Sequence, residues 1–287
     1  MNKTENMIFI INYKKPQAIV LAKESAAYLA GKVNVLHPED APGYSVEQIK
    51  EVLPVLTNKK PGFALVFGGD GTILHSARLM SPYNIPIVGV NFGTLGFLAA
   101  IEPQELIPAL DKILAGDFFV EGRMQLQCII ERDGRVVKST LALNDFVLKH
   151  KDFSRAISLD LLINDQLACS YRADGIIIAT PTGSTAYSLS ANGPIVSPEM
   201  DLILVSPICA HLSHVPSLVV PPSKYLTVKF CSPYRAALVT ADGQDSFDFQ
   251  EGDKLTIFAA DVRAKFIWPG QPNYFVSLRK KLFNGQL

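Results

Sequence analysis

The chain has 287 residues, room for one large domain or two ordinary ones, and with 48% hydrophobic against 19% charged residues it can bury a sizeable core. Lysine plus arginine equals aspartate plus glutamate, 27 of each, which excludes a global basic field pulling it onto nucleic acid or an anionic membrane. Any phosphate site must therefore be local, built from backbone amides and a few side chains. No apolar stretch reaches the roughly 18 residues of a membrane span, and the run Met7 to Asn12 is too short for a signal-peptide core. Cysteines at 128, 169, 209 and 231 form no CxxC pair, so the expectation is buried, reduced thiols and a cytoplasmic location.

In chain order, Ile8 to Ile11 reads as a strand and Pro16 to Ala30 as a helix. Val33 to Leu36 and a helix near Val46 to Leu56 follow. Phe63 to Phe67 is five apolar residues in a row, the pattern of a strand buried on both faces. It runs into Gly68-Gly69-Asp70-Gly71-Thr72, with the next helix read from Ile73 to Met80 and another strand from Ile85 to Val90. Strand and helix in alternation imply an α/β domain with an open, mostly parallel sheet over residues 1–121. From 122 to 270 the texture changes to short β-like runs separated by turns such as Arg132-Asp133-Gly134 and Asn164-Asp165-Gln166. The expectation there is an all-β, sandwich-like domain. The amphipathic segment 271–287 is placed back with the first domain.

The glycine turn lies at the carboxyl end of a buried strand, where α/β folds bind ligands. Three glycines in four residues let the backbone approach a ligand and turn its amides inward as an anion nest, and the helix start adds positive charge. A lone aspartate there opposes phosphate unless it meets a metal or a hydroxyl proton, which is what phosphoryl transfer requires. A plain βα turn with Asp70 as a helix cap explains the same residues equally well. A Walker loop and the HRD and DFG elements of protein kinases are absent from the sequence. Downstream, Gly89 to Gly96 has the spacing G-x-x-x-G-x-x-G. That is not the dinucleotide fingerprint, and it reads as a tight backbone crossing beside the active site.

A second polar cluster follows the apolar run Ile176 to Ala179. Arg172-Ala173-Asp174-Gly175 precedes the run, and Thr180-Pro181-Thr182-Gly183-Ser184-Thr185-Ala186-Tyr187-Ser188-Leu189-Ser190 follows it. Hydroxyls, a carboxylate and an aromatic ring at one strand end suit a nucleoside; a capped helix start with ordinary turn chemistry is the alternative. Asn144-Asp145 and Ala241-Asp242-Gly243-Gln244 are two further acidic turns.

Taken in order, these segments resemble the NAD kinase family, chiefly its bacterial members. Gly68 to Thr72 is shared with lipid kinases and phosphofructokinases, whereas Thr180 to Tyr187 is the more specific match. The resemblance implies that Asp70 is the general base for the adenosine-side 2′-hydroxyl of NAD and that Gly71 and its neighbours hold phosphates. It implies that Asn144 and Asp145 bind the adenosine part and Asp174 the nicotinamide carboxamide or ribose. Thr182 and the run Thr185, Ala186, Tyr187, Ser188, Leu189 and Ser190 would line the dinucleotide site, with Tyr187 against adenine. His75, Arg155, Arg172 and Gln244 would approach the ligand or its new phosphate. Asp145 stands where many relatives have glutamate, and Asn192 replaces a common glycine; asparagine tolerates left-handed backbone, so that turn should survive.

The reaction implied is transfer of the γ-phosphoryl of ATP to NAD, giving NADP. A divalent ion, Mg²⁺, would neutralise the phosphates, with no side chains assigned to hold it. The resemblance also implies a homotetramer or homodimer with sites near subunit contacts. A lipid or sugar kinase sharing the glycine turn, and a dinucleotide sensor that has lost catalysis, are the competing readings.

Overall fold

The computed structural model describes residues 6–93, 96–151, 156–210, 215–231 and 236–283. They form two compact units, one running to Gly122 and resuming at Ala264, the other spanning Arg123–Arg263.

The first unit alternates β1 (Asn6–Ile11), α1 (Pro16–Leu29), β2 (Asn34–Leu36), α2 (Val46–Leu56), β3 (Phe63–Gly68), α3 (Asp70–Met80), β4 (Ile87–Asn91), α4 (Leu106–Ala115) and β5 (Phe119–Arg123). Proline opens α1, where its missing N–H costs nothing. At the start of α2, Ser45 and Gln48 form a reciprocal capping box with bonds of 3.2 and 2.8 Å. The sheet order is β2-β1-β3-β4, then Ala264–Trp268, then β5. The pairs β1/β2, β1/β3 and β3/β4 are parallel. One face packs Phe9, Leu65, Phe67 and Val88 against Ala18 and Ala22 of α1 and Leu106 and Leu110 of α4. The alternate residues Ile8, Ile10, Ala64 and Val66 are also fully buried. Cover on both faces is why β3 carries an unbroken apolar run.

The second unit holds β6 (Leu126–Arg132), β7 (Arg135–Ala142), β8 (Asp145–His150), β9 (Ile157–Ile163), β10 (Gln166–Ala173) and β11 (Gly175–Ala179). After the short α5 (Tyr187–Ser190) come β12 (Ile203–Ile208), β13 (Leu218–Val220), β14 (Leu226–Phe230), β15 (Ala236–Ala241), β16 (Asp245–Gln250) and β17 (Lys254–Ala259). Two six-stranded sheets result, β10-β9-β14-β17-β6-β7 and β13-β12-β11-β8-β15-β16. Their strands pair antiparallel, as for β6/β7 and β8/β11. Leu126, Cys128 and Ile130 of the first sheet share a core with Phe146, Leu148, Ile176 and Ile178 of the second, so the unit is a β-sandwich. Two-residue turns at Asp133-Gly134, Asn164-Asp165 and Asp242-Gly243 have positive φ at both positions, between 47° and 72°. That is the type I′ geometry matching strand twist.

The remaining elements, β18 (Ala264–Trp268) and α6 (Tyr274–Leu278), lie in the first unit. The sequence reading counts Ala264 to Trp268 with the β-rich half; instead β18 enters the parallel sheet, with Phe266 opposite Ile87. Ala264, Phe266 and Ile267 are all buried, which suits a strand covered on both faces. The cysteines also differ from expectation. All four are free, but only Cys128 is buried; Cys169 is half-buried and Cys209 and Cys231 are exposed. Cys231 follows the end of β14, where its thiol donates to Asp160 Oδ2 at 3.2 Å.

Candidate active site

In the first unit the glycine turn sits at the carboxyl edge of the sheet. Gly69 is the N-cap of α3 and Asp70 its first residue, so the helix begins three residues before Ile73. A side chain at Gly68 would strike Thr72, which forces glycine there. No side chain caps this helix start. The carboxylate of Asp70 turns away, its Oδ2 accepting the Phe97 N–H at 3.0 Å, while its Oδ1 is buried with no hydrogen-bond partner. The capping explanation for Asp70 therefore falls, and a fixed carboxylate with an unused oxygen remains.

The Gly89 to Gly96 segment explains the fixing. A Cβ on Gly96 would overlap the Asp70 carboxylate well inside 3.0 Å, so this is a close backbone crossing rather than a dinucleotide loop. Thr94 and Leu95 lie outside the described residues. Gly71, Thr72 and His75 line a cavity of about 260 Å³ with Asn12, Tyr13 and Ser45, and Asn12 donates to the Thr72 hydroxyl at 3.0 Å. A larger cavity of about 740 Å³ opens beside Asn91, Phe92 and Gly93, against the start of α1.

Two lysines join this turn that sequence reasoning missed. The ammonium of Lys15 donates to the Phe92 carbonyl and lies beside Gly69 and Gly93. Lys281, from the far end of the chain, places its Nζ 3.6 Å from Asp70 Oδ2. Lys15 had a usable signal, because Lys14 and Lys15 follow the end of β1 and immediately precede the α1 proline. Lys281 had none, since only tertiary folding brings it to residue 70.

In the second unit, one end of the β8–β11 pair gathers the other motifs. Asp145 opens β8 rather than a turn, and pairs with Ala179. Thr180 N–H donates to the Asn144 carbonyl at 2.9 Å and its hydroxyl to the Leu143 carbonyl at 2.6 Å. Gly183 presses so closely on the Asn144 backbone that a Cβ would overlap its carbonyl. The type I′ turn at Asp242-Gly243 completes the group: the Asp242 carboxylate accepts the N–H groups of Leu143, Asn144 and Asp145 at 3.1, 2.7 and 3.2 Å. Burial pushes the Asp145 carboxyl up to about 7, helped by the Asp242 charge. A carboxyl in that range can donate a hydrogen bond as well as accept one near neutral pH.

Thr182 is buried, Thr185, Ala186 and Leu189 are half-buried, and Tyr187, Ser190 and Gln244 are exposed. Ser188 is different. It is fully buried and its hydroxyl bonds to Ser206 at 3.1 Å, which in turn reaches Ser217 at 2.9 Å. Its side chain holds the turn down rather than facing a ligand. Asn192 has φ 61°, the left-handed turn expected of it.

The aspartate of the polar cluster is not at this strand end. Asp174 precedes Gly175, which pairs with Lys149 at the opposite end of β11. Thr180 lies six positions after Asp174, about 20 Å along an extended chain. Both Arg172 and Asp174 are exposed. Arg155 lies outside the described residues. Among the described residues no three His, Cys, Asp or Glu side chains form a metal-holding group, and no helix is long and apolar enough to cross a membrane.

Residues 7–118 match the family model for the ATP-NAD kinase N-terminal domain, and residues 143–268 match that for the ATP-NAD kinase C-terminal domain. The chain belongs to the ATP-NAD kinase family. An NAD kinase of Heliobacterium modesticaldum is 38% identical over 283 residues, covering 96% of this chain and 98% of the relative. That of Symbiobacterium thermophilum is 36% identical over 281 residues, covering 95% and 97%. Among solved structures, yeast NADH kinase complexed with NADH superposes with a TM-score of 0.84 at 25% identity, covering 100% of this chain and 90% of that one. An NAD kinase from Archaeoglobus fulgidus in complex with ATP gives 0.69 at 26% identity, covering 91% and 92%. The ATP-NAD kinase N-terminal match lies wholly in the first unit, and the C-terminal match ends at Trp268, the last residue of β18.

Proposed function

We propose that this protein is an NAD kinase that transfers the γ-phosphoryl of ATP to the adenosine-ribose 2′-hydroxyl of NAD, with Asp70 as general base. The observation that carries the assignment is the Asp70 carboxylate, held by the Phe97 N–H at the head of α3 and not used as a cap. In the step, Asp70 takes the 2′-hydroxyl proton and the oxygen forms a bond to the γ-phosphorus. The bond from that phosphorus to the bridging oxygen breaks, and its electron pair leaves on ADP. The relatives supply the acceptor and donor classes: NAD kinases in both bacteria, NADH in the yeast complex, ATP in the archaeal one.

Backbone amides of Gly69 to Thr72 and the Lys15 ammonium receive the phosphates in this reading, and His75 flanks them. Asn144, Asp145, Thr182 and Tyr187 hold the adenosine, with Thr185, Ala186, Leu189, Ser190 and Gln244 around it. A divalent ion, Mg²⁺, would travel with the phosphates themselves rather than sit on Asp70, whose Oδ1 is buried against Gly96. It would supply charge neutralisation on the phosphates. A homotetramer or homodimer with sites near subunit contacts is part of this reading. Four free thiols accord with a reducing, cytoplasmic setting.

The test is NADP formation from NAD with ATP and Mg²⁺ by the wild type and by Asp70→Asn. The expected outcome is a loss of about 10²–10⁴ in kcat with NAD still bound. A folded wild type that binds NAD and makes no NADP refutes the kinase reading, and an active Asp70→Asn refutes the base.

A further inference from the structure

We propose that Lys281 is a catalytic residue of this site, passing its ammonium from Asp70 to the phosphoryl group in transit; the inference rests on the kinase reading above. The contacts form a closed triangle. Asp70 Oδ2 accepts the Phe97 N–H, Lys281 Nζ stands 3.6 Å from the same oxygen, and it lies 4.4 Å from the centre of the Phe97 ring. Tyr274 sets the tail against this ring, with centroids 5.9 Å apart, and Asn273 caps α6 through Val276 N–H at 3.1 Å. The π-helical turn Arg279–Phe283 then carries the lysine to the carboxylate.

The rest of the tail does not behave like a packing element. Neither α6 nor the turn after it has a buried residue, and Phe275 and Phe283 are 67% and 49% exposed. A segment recruited only for stability would bury its phenylalanines and leave its lysine in water. Here both phenylalanines are exposed, while Lys281, with its side chain 34% exposed, lies against the Asp70 carboxylate and the Phe97 ring.

Reach decides the role. A base acts within about 2.6–3.2 Å of the hydroxyl it deprotonates, and that oxygen attacks from about 3–3.5 Å. An ammonium already beside the carboxylate is therefore one side-chain swing from the γ-phosphoryl oxygens. The swing is cheap. At 3.6 Å the ion pair is longer than a hydrogen bond and both side chains are 34% exposed, so solvent screens it and it is readily exchanged. Charge-assisted bonds to a phosphoryl oxygen are stronger. Before ATP arrives Lys281 offsets the Asp70 charge that repels phosphate; afterwards it neutralises the moving phosphoryl and leaves Asp70 to the hydroxyl proton.

The test uses full-length wild type, Lys281→Met and Lys281→Arg, with kcat and KM for both substrates, melting temperature, and MgATP affinity by calorimetry. Lys281→Met is expected to lose about 10²–10³ in kcat, the scale of one transition-state donor, with KM for NAD changed less than about threefold and the melting temperature retained. Lys281→Arg should recover to within about tenfold of wild type. A Lys281→Met enzyme within about twofold of wild type overturns the proposal, as does equal impairment of both variants with lowered melting temperatures, which marks a structural tether. A wild type inactive toward NAD would fail the kinase reading instead. Lys281 is then judged on MgATP, where unchanged affinity in Lys281→Met overturns it and about tenfold weaker binding supports a phosphate contact.

Discussion

Gly96→Ala should silence the enzyme while leaving the protein folded. The added methyl would sit well inside 3.0 Å of the Asp70 carboxyl carbon and both its oxygens. Because Gly96 is buried, the alanine cannot yield outward; the Asp70 side chain, 34% exposed, can. Asp70 is therefore driven off the Phe97 N–H and away from the position of a base. Misplacing a general base costs about 10²–10⁴ in rate, or about 3–5 kcal/mol of transition-state stabilisation. The fold loses one partly exposed hydrogen bond, about 1 kcal/mol, which for a protein of this size lowers the melting temperature by about 2–4 °C. The assay pairs steady-state NADP formation with thermal unfolding and NAD binding. A Gly96→Ala enzyme with kcat within tenfold of wild type and an unchanged melting temperature would falsify both the positioning argument and the base it supports.

Two further outcomes are expected. The Asp145 carboxyl is held at about 7 by burial and the Asp242 charge against 3.8 unperturbed, so the folded state binds a proton that the unfolded state releases above about pH 4. Stability is complete below that pH and falls as pH rises to about 7, by up to about 4 kcal/mol; the stability of Asp145→Asn minus that of wild type should grow across this window in chemical denaturation, and a flat difference refutes the protonated carboxyl. Burial pushes the Cys128 thiol up to about 12, so maleimide at pH 8 followed by mass mapping should find Cys128 unmodified until denaturant is added, while exposed Cys209 labels first; equal rates at the two sites contradict the burial.

What the sequence disclosed followed from how local its physics was. The run Phe63 to Phe67 needs no distant information to read as a doubly covered strand, and the turn pairs Asp133-Gly134 and Asn164-Asp165 impose their geometry unaided. The start of α3 was misread because Asp70, Gly71 and Thr72 have weak helix propensity, which packing against β3 overrides. Asp145 looked like part of an acidic turn, yet it begins β8 because Asp242 collects the backbone amides around it. Strand β12 contains Pro207, an unfavourable strand residue, and still forms between β11 and β13. In the polar run Thr180 to Ser190 the sequence shows the residue types but not their facing: burial assigns Ser188 to support, and the strand direction parts Asp174 from the run. The Lys281 contact joins residues 211 positions apart in the chain and leaves no local trace.

The placement of β18 also governs how the chain must be made. This strand lies between β4 and β5 in the first unit's sheet, although the 141 residues from Arg123 to Arg263 are synthesised before it. At about 5–20 residues per second, those residues take roughly 7–30 s to translate. Throughout that interval the apolar flank of β4 has no neighbour on one side, and β5 waits without its partner. The nascent α/β unit thus carries an open edge until its own far end emerges, so the growing polypeptide is most exposed to wrong partners while its β-sandwich is being translated.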